Sequence, residues 1–283
     1  MRSMVWHFSS MCFAVLLLLS GVRAQTASPA CPAAKGGALS GKYAGYTVRL
    51  VRSSNRGLRC QAFVAASGSK TPLGKSVAKD WAISINPLSG SDINGDGKPE
   101  LIVQSFSGGA HCCYTYRIFT LSEGLPLVRE IRNQVPVVFT KRDGGAEVRT
   151  ADGVFDYFLL PHVNAVIPQL FLRLDGDKLV DVGGEHVSDY DKLIEKARSE
   201  LTAEEVDKLR KANYSQNMLI DQLPAVQKVL TIVLNYLYSG REEQAWHALD
   251  EMWPSSDVDR VKNLIRERRS RGLLAQATQK TGA

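Results

Sequence analysis

Oxygen-bearing side chains recur at every second position over a short stretch in the first half of the chain. Calcium is a hard cation that takes about six to eight oxygen ligands, most of them from carboxylates and carbonyls. Glycines within the stretch let the backbone curl so that alternate side chains point inward, and one backbone carbonyl can join them. The stretch therefore predicts a calcium-binding loop. The ligand residues of this predicted loop are Asp92, Asn94, Asp96, Lys98 (through its carbonyl oxygen) and Glu100.

The opening of this stretch matches the EF-hand loop as far as its sixth position, Gly97, and then departs from it. An EF-hand loop needs a bidentate glutamate at its twelfth position, where this chain has Val103. The apolar residues 101–103 are typical of a strand and not of an EF-hand helix. The sequence thus predicts an Asp-rich loop that leads into a β-strand. A turn of Asp and Asn side chains without metal is the alternative.

The pattern Asp-x-Asn-x-Asp-Gly-x-x-Glu resembles the calcium loops of FG-GAP and VCBS repeats, the units of integrin-type β-propeller blades. Residues 105–119 also resemble a segment of bacterial secreted proteins of unknown function, and the whole resemblance covers roughly residues 77–121. In the repeat families the loop lies between blade strands and binds calcium. The resemblance therefore implies the same five ligands, four through side chains and Lys98 through its carbonyl. It implies no specific activity.

The second group of residues that can do chemistry is the cysteines. After loss of a leader containing Cys12, the remaining cysteines are Cys31, Cys60, Cys112 and Cys113. An even number in an oxidising compartment predicts disulfides. Adjacent cysteines rarely bond to each other, because the small ring strains the peptide. Cys31 and Cys60 are therefore expected to pair with the adjacent cysteines separately, or with each other, which would leave a dithiol. A metal site of His111 with the adjacent cysteines is a third alternative, although its spacing is unusual for zinc.

The N-terminus carries the pattern of a secretory leader. Arg2 and His7 precede an apolar run over residues 11–19, and small or apolar residues stand at the −3 and −1 positions of a cleavage site between Ala24 and Gln25. We predict a signal peptide over residues 1–24 and a secreted, periplasmic protein. No later stretch is apolar for long enough to cross a membrane, so no transmembrane segment is expected after signal removal.

Composition is that of an ordinary globular protein, with 44% hydrophobic and 23% charged residues among 283. Removing the leader takes two arginines from 35 basic residues against 29 acidic ones, which leaves a net charge of +4. Outside the cytoplasm, nucleic acid is not an expected partner. One cluster of cations would suit an anionic envelope surface, and a solvated helix face is the alternative. This cluster consists of Arg266, Arg268, Arg269 and Arg271.

Alternating apolar residues and Gly-rich turns predict many short strands in the first two thirds of the chain. The expected organisation is a flexible leader over residues 25–40 and an antiparallel β domain over residues 41–183. Residues 154–160 are among the predicted strands. The domain would be propeller-blade-like or a sandwich.

Helical periodicity replaces the strand pattern near residue 185. Thr202 and Glu205 form a capping box, and Pro224 opens a further helix that Gly240 ends. Residues 236–249 look like a degenerate tetratricopeptide-type helix pair, which commonly docks a partner. The fold class is thus α+β, with a C-terminal helical hairpin module over residues 185–272 and a disordered tail over residues 273–283.

Catalytic motifs are missing from the sequence: it has no G-x-S-x-G, no H-E-x-x-H and no phosphate loop. The leading interpretation is a secreted calcium-binding protein that is not an enzyme and acts in binding or as a scaffold. Its calcium would be structural, and its partner another envelope protein or a cell-surface polymer. The alternative is a hydrolase or thiol-dependent enzyme that uses His111, Cys112 and Cys113.

Overall fold

The computed structural model describes residues 30–54, 59–69, 74–109, 113–212 and 220–278. Within them, strands form three antiparallel sheets, each made of four consecutive strands in up-and-down order. Sheet 1 contains β1 (Ala38–Tyr43), β2 (Tyr46–Arg52), β3 (Cys60–Ala66) and β4 (Lys75–Asp80). Sheet 2 contains β5 (Ala82–Ile85), β6 (Glu100–Phe106), β7 (Tyr114–Thr120) and β8 (Leu127–Asn133). Sheet 3 contains β9 (Val138–Arg142), β10 (Gly145–Ala151), β11 (Gln169–Asp175) and β12 (Lys178–Asp181).

Helices follow the three sheets. They are α1 (Val187–Glu200), α2 (Ala203–Lys211), α3 (Leu223–Tyr238), α4 (Glu242–Met252), α5 (Val258–Arg271) and α6 (Leu273–Thr278). This order confirms the predicted α+β class, an antiparallel β domain followed by helices. Four-stranded antiparallel sheets are also the unit of propeller blades, although a closed propeller typically has at least about four of them.

Sheet 2 lies in the middle of the stack of sheets. Leu101 and Val103 of β6 pack with the core of sheet 1, whereas Ile102 packs with the core of sheet 3 and the helices. All three side chains are fully buried. Because β6 is covered on both faces, it carries a continuous apolar run where a half-exposed strand would alternate.

The helices and sheet 3 share one hydrophobic core. Phe155, Leu172 and Leu230 belong to a single cluster of buried residues that extends from sheet 2 to α5. The change from strand to helical periodicity near residue 185 therefore marks a change of secondary structure within a continuous core.

The structure describes the later part of the predicted flexible leader (residues 25–40), and this part is attached to the β domain. Ala30 pairs with Ser84 of β5, and Cys31 is bonded to Cys60 of β3. β1 begins at Ala38. The expectation of a flexible leader up to residue 40 is thus wrong for residues 30–40, because a disulfide and backbone pairing hold them. The predicted signal peptide lies outside the described residues.

The predicted strand over residues 154–160 is also wrong. The chain there forms a 3-10 turn, Gly153–Phe155, followed by turns in which Tyr157 and Leu159 have positive φ angles of 56° and 54°. Phe155, Phe158 and Leu160 are buried, so the apolar spacing that predicted a strand instead points these side chains into the core from an irregular segment.

At the C-terminus, α6 replaces the start of the predicted disordered tail. Leu273 is buried, and its N–H donates to the Asp152 carboxylate over 3.2 Å. The capping box at α2 is confirmed, with Thr202 and Glu205 each accepting the other's backbone N–H. No helix in the described part of the chain has the length and apolarity needed to cross a membrane.

Candidate metal-binding loop

The predicted calcium loop connects β5 to β6, the first two strands of sheet 2. Backbone bonds fold its two ends together: Gly90 N–H donates to the Glu100 carbonyl over 2.7 Å, and Glu100 N–H donates to the Ser91 carbonyl over 3.0 Å. The loop is therefore closed at its base by the start of β6. All five predicted ligand residues lie within it or at its end.

Asp92 organises the turn. One of its carboxylate oxygens accepts the N–H of Gly95 over 2.7 Å, and the other accepts the N–H of Gly97 over 2.9 Å. Both glycines have positive φ angles, 80° and 82°, a conformation that glycine adopts without steric cost. The backbone thus curls around Asp92, as the spacing of the glycines predicted.

Asn94 and Asp96 each accept a backbone N–H two residues further on. The Asn94 side-chain oxygen accepts from Asp96 over 3.2 Å, and the Asp96 carboxylate accepts from Lys98 over 2.9 Å. These are the local bonds of an Asx-rich turn. Taken alone, the contacts of Asp92, Asn94 and Asp96 are satisfied without a metal ion.

The hydrogen bonds within the loop do not satisfy both side-chain oxygens of Glu100. Its side chain is fully buried, and Oε2 accepts the N–H of Ile93 over 2.9 Å. The second oxygen, Oε1, has no hydrogen-bond partner within the described residues. The pKa of Glu100 is raised from 4.5 to about 7, first by burial and then by the nearby carboxylates of Asp96 and Asp92, against the lowering effect of the Ile93 and Asn94 backbone. A buried carboxylate with an unpaired oxygen beside two other carboxylates is costly unless a cation or a proton balances it.

The loop also contacts sheet 3. Ile93 is fully buried in the core shared with the helices, and the Asn94 carbonyl accepts the N–H of Gly176, in the β11–β12 turn, over 2.9 Å. Gly95 lies against the β9–β10 turn, where a Cβ atom added to it would stand 2.6 Å from the Gly144 carbonyl oxygen. The loop of sheet 2 is thus held between two hairpin turns of sheet 3.

The donor set fits a hard cation. Within the described residues, no three His, Cys, Asp or Glu side chains are gathered into a ready metal cluster. The three predicted carboxylate ligands, Asp92, Asp96 and Glu100, are therefore not drawn together in this structure, and a cation would have to gather them, with the Asn94 amide and the Lys98 carbonyl completing the donor set. Each carboxylate oxygen has two lone pairs, so Asp92 can accept its backbone bonds and still bind a cation. The unpaired Oε1 of Glu100 offers a further oxygen.

The cysteines pair in one of the two ways left open by the sequence: Cys31 bonds to Cys60. Cys113 is disulfide-bonded as well, so the dithiol expected to remain after this pairing is wrong. His111 and Cys112 lie outside the described residues. The proposed thiol chemistry therefore has no free thiol at Cys113.

The cluster of C-terminal arginines is used within the molecule. Arg266 lies over the Trp246 ring, and Arg268 donates to the Val154 carbonyl over 2.9 Å. Arg269 and Arg271 pair with the carboxylates of α4 and α5 at 3.8 and 3.1 Å. The Arg266 and Arg269 contacts hold α5 to α4, the Arg268 bond holds α5 to the segment after β10, and the Arg271 pair lies within α5.

Sequence reasoning missed one buried acid, Asp152, at the end of β10. It is only 1% exposed, and its carboxylate accepts the Tyr238 hydroxyl over 2.6 Å and the N–H of Leu273. Burial raises its pKa despite these bonds. In the sequence, Asp152 precedes Gly153 and has the appearance of an ordinary turn, so only its tertiary contacts reveal that it joins sheet 3, α3 and α6.

Comparison of this chain with protein-family models, with curated proteins and with solved structures finds no match to any of them.

Proposed function

We propose that this chain is a secreted calcium-binding protein whose metal is structural and whose role is binding or scaffolding without catalysis. The site consists of the side chains of Asp92, Asn94, Asp96 and Glu100 and the carbonyl of Lys98. The observation that carries the proposal is the buried Glu100 carboxylate with its unpaired Oε1. The alternative Asx-rich turn accounts for the other side chains but leaves this oxygen unexplained.

Calcium in this loop would act on the fold in two ways. It would balance three neighbouring carboxylates, and it would fix a loop that bridges sheets 2 and 3 through Ile93 and Asn94. Ligand binding to the native state alone stabilises it by about 2.7 kcal/mol at a ligand concentration of a hundred times Kd. Binding energy at the loop would thus become folding energy for both sheets.

Thermal unfolding with excess calcium and with a chelator tests the site. We expect calcium to raise the Tm of the wild type and to leave that of Asp92→Ala with Asp96→Ala unchanged. Glu204→Ala with Asp207→Ala is the matched control, because these two acids are exposed on α2, outside the loop and the turns that contact it, and this variant should keep the calcium response. A wild type that does not respond, or a response that survives in the loop variant, would overturn the proposal.

Secretion and an envelope partner are parts of the same proposal. The Cys31–Cys60 disulfide favours an oxidising compartment, since such bonds are rare in the cytosol. The partner would be another envelope protein or a cell-surface polymer. Cell fractionation tests this part: recovery of the protein with a cytoplasmic marker and with reduced cysteines would contradict it.

A further inference from the structure

Charge is divided unevenly between sheet 1 and the rest of the chain. Residues 30–80 contain nine lysines and arginines but one acidic residue, Asp80, whereas residues 81–283 contain 24 basic and 28 acidic residues. The modest net charge of the whole chain hides this division. Such asymmetry points to an electrostatic partner for the basic part.

The register of sheet 1 gathers three of these cations on one face. Lys42 of β1 stands opposite Thr47, Arg49 of β2 opposite Phe63, and Lys79 of β4 opposite Gln61. The alternate residues of β2 and β3, among them Val48 and Ala62, are buried against sheet 2. Because side chains alternate across a strand, the three cations point away from the core. We call this surface the basic face.

Within the part of the chain that the structure describes, no carboxylate forms an ion pair with the cations of the basic face. Within the described residues, Lys42, Arg49 and Lys79 take part in no salt bridge. Asp80 is on the opposite side of its strand, facing Cys60, and its carboxylate accepts the N–H of Trp81. In contrast, the arginines of α5 have partners within the molecule, as described above. The positive potential over the basic face is therefore left for a partner outside the chain.

The shape of the basic face selects among anionic partners. Strands in a sheet are about 4.8 Å apart, so cations on β1, β2 and β4 spread over roughly 15 Å in two dimensions and do not line a groove. Phe63, half-buried between Arg49 and Ser76, adds an aromatic ring to the middle of the face. A planar array of cations around an aromatic ring complements a planar array of anions.

We propose that the basic face of sheet 1 docks on an anionic lipid surface. Lipid headgroups present such a planar array, and basic residues near an anionic leaflet each contribute about a factor of five to binding. The proposal is independent of the calcium loop, which lies in sheet 2. Its test is therefore run in chelator, so that it can fail or succeed apart from the metal site.

The experiment is co-sedimentation of the purified protein with vesicles of phosphatidylglycerol and phosphatidylcholine in equal parts, and with vesicles of phosphatidylcholine alone. We expect binding to the anionic vesicles only, and its loss at high salt, which screens exposed charges. Lys42→Glu with Arg49→Glu and Lys79→Glu should weaken binding by at least about a hundredfold. Thermal unfolding checks that this variant is folded.

A matched control separates position from net charge. Lys141→Glu with Lys178→Glu and Lys196→Glu changes the net charge by the same amount at exposed positions on sheet 3 and α1, and should bind as the wild type does. Equal loss in both triple variants would mean that net charge alone matters and would overturn the proposal. The proposal would also be overturned if the wild type did not bind anionic vesicles, even if it bound soluble dextran sulfate.

Discussion

Glu100 couples stability to pH when no metal is bound. Burial and the carboxylates of Asp96 and Asp92 raise its pKa to about 7, from an ordinary value of 4.5 that the unfolded chain retains. Between these values the native state holds a proton that the unfolded state has released. The stabilisation is complete below about pH 4.5 and is lost as pH rises through about 7. Calcium at the proposed site would bind the ionised carboxylate, so its contribution would have the opposite dependence and would grow with pH.

Glu100→Gln should remove both the pH dependence and the calcium response at this residue. The amide oxygen still accepts the N–H of Ile93, but the side chain no longer ionises. We expect the variant in chelator at pH 8 to be more stable than the wild type, by on the order of 3 kcal/mol, and to gain nothing from calcium. Urea unfolding at several values between pH 5 and pH 8, with chelator and with calcium, measures both changes. Parallel curves for the two proteins in chelator would show that Glu100 does not titrate in this range.

The predicted calcium loop contacts sheet 3, and substitutions at two of its glycines distinguish the energy of this contact from local backbone strain. Both have positive φ angles, but a Cβ atom on Gly95 would meet the Gly144 carbonyl at 2.6 Å, whereas one on Gly97 would meet nothing within 4 Å. Gly97→Ala should therefore cost only the strain of a left-handed residue, about 1–2 kcal/mol. Gly95→Ala should cost that amount and the loss of the docking contact.

Urea unfolding of the two alanine variants in chelator measures this difference. We expect Gly95→Ala to be less stable than Gly97→Ala by about 1–3 kcal/mol, since carbonyl and Cβ atoms must move apart in a packed contact. Equal destabilisation would mean that the loop can leave sheet 3 without cost. In that case a metal ion in the loop would stabilise sheet 2 alone.

At the scale of elements, the sequence predicted the features that depend on residues close together in the chain. The alternation of β2 and the capping box of α2 are local patterns, and the ligand residues of the loop are consecutive. The strand prediction over residues 154–160 is wrong because these apolar residues belong to an irregular segment, with left-handed residues at Tyr157 and Leu159. β4 has no alternating pattern to predict it, because Val77 and Ala78 face the core side by side at a bulge.

At the scale of the whole molecule, contacts between distant residues decide the features that sequence reasoning missed. Lys42, Arg49 and Lys79 are far apart in the chain and appear scattered until the register of sheet 1 places them on one face. The burial of Glu100 and the contact between Asn94 and Gly176 likewise follow from the packing of sheet 2 on sheet 3. No local pattern encodes these pairings, because side chains from separate strands create them.

The described residues form two hydrophobic cores, and the disulfide belongs to the smaller one. One core joins sheet 1 to sheet 2, and the other joins sheets 2 and 3 to the helices. Cys60 is in sheet 1, whereas the N–H of Cys31 donates to Ile83 of sheet 2 over 2.8 Å. The disulfide between Cys31 and Cys60 therefore links the two sheets covalently. Its sequence separation of 29 residues corresponds to a stabilisation of about 3–4 kcal/mol in the chain-entropy account.

Cys31→Ala with Cys60→Ala should therefore weaken the smaller core and spare the larger one. We expect amide hydrogen exchange to accelerate in β1 to β4, where the disulfide acts, while α3 keeps its protection. Asp92→Ala with Asp96→Ala, studied in calcium, is the complementary variant, since it should expose the loop between β5 and β6 and the turn at Gly176. Uniform acceleration in both variants would instead show that the two cores unfold as one cooperative unit. Separate responses would mean that the disulfide and the metal loop each stabilise a different junction of sheet 2, the first with sheet 1 and the second with sheet 3.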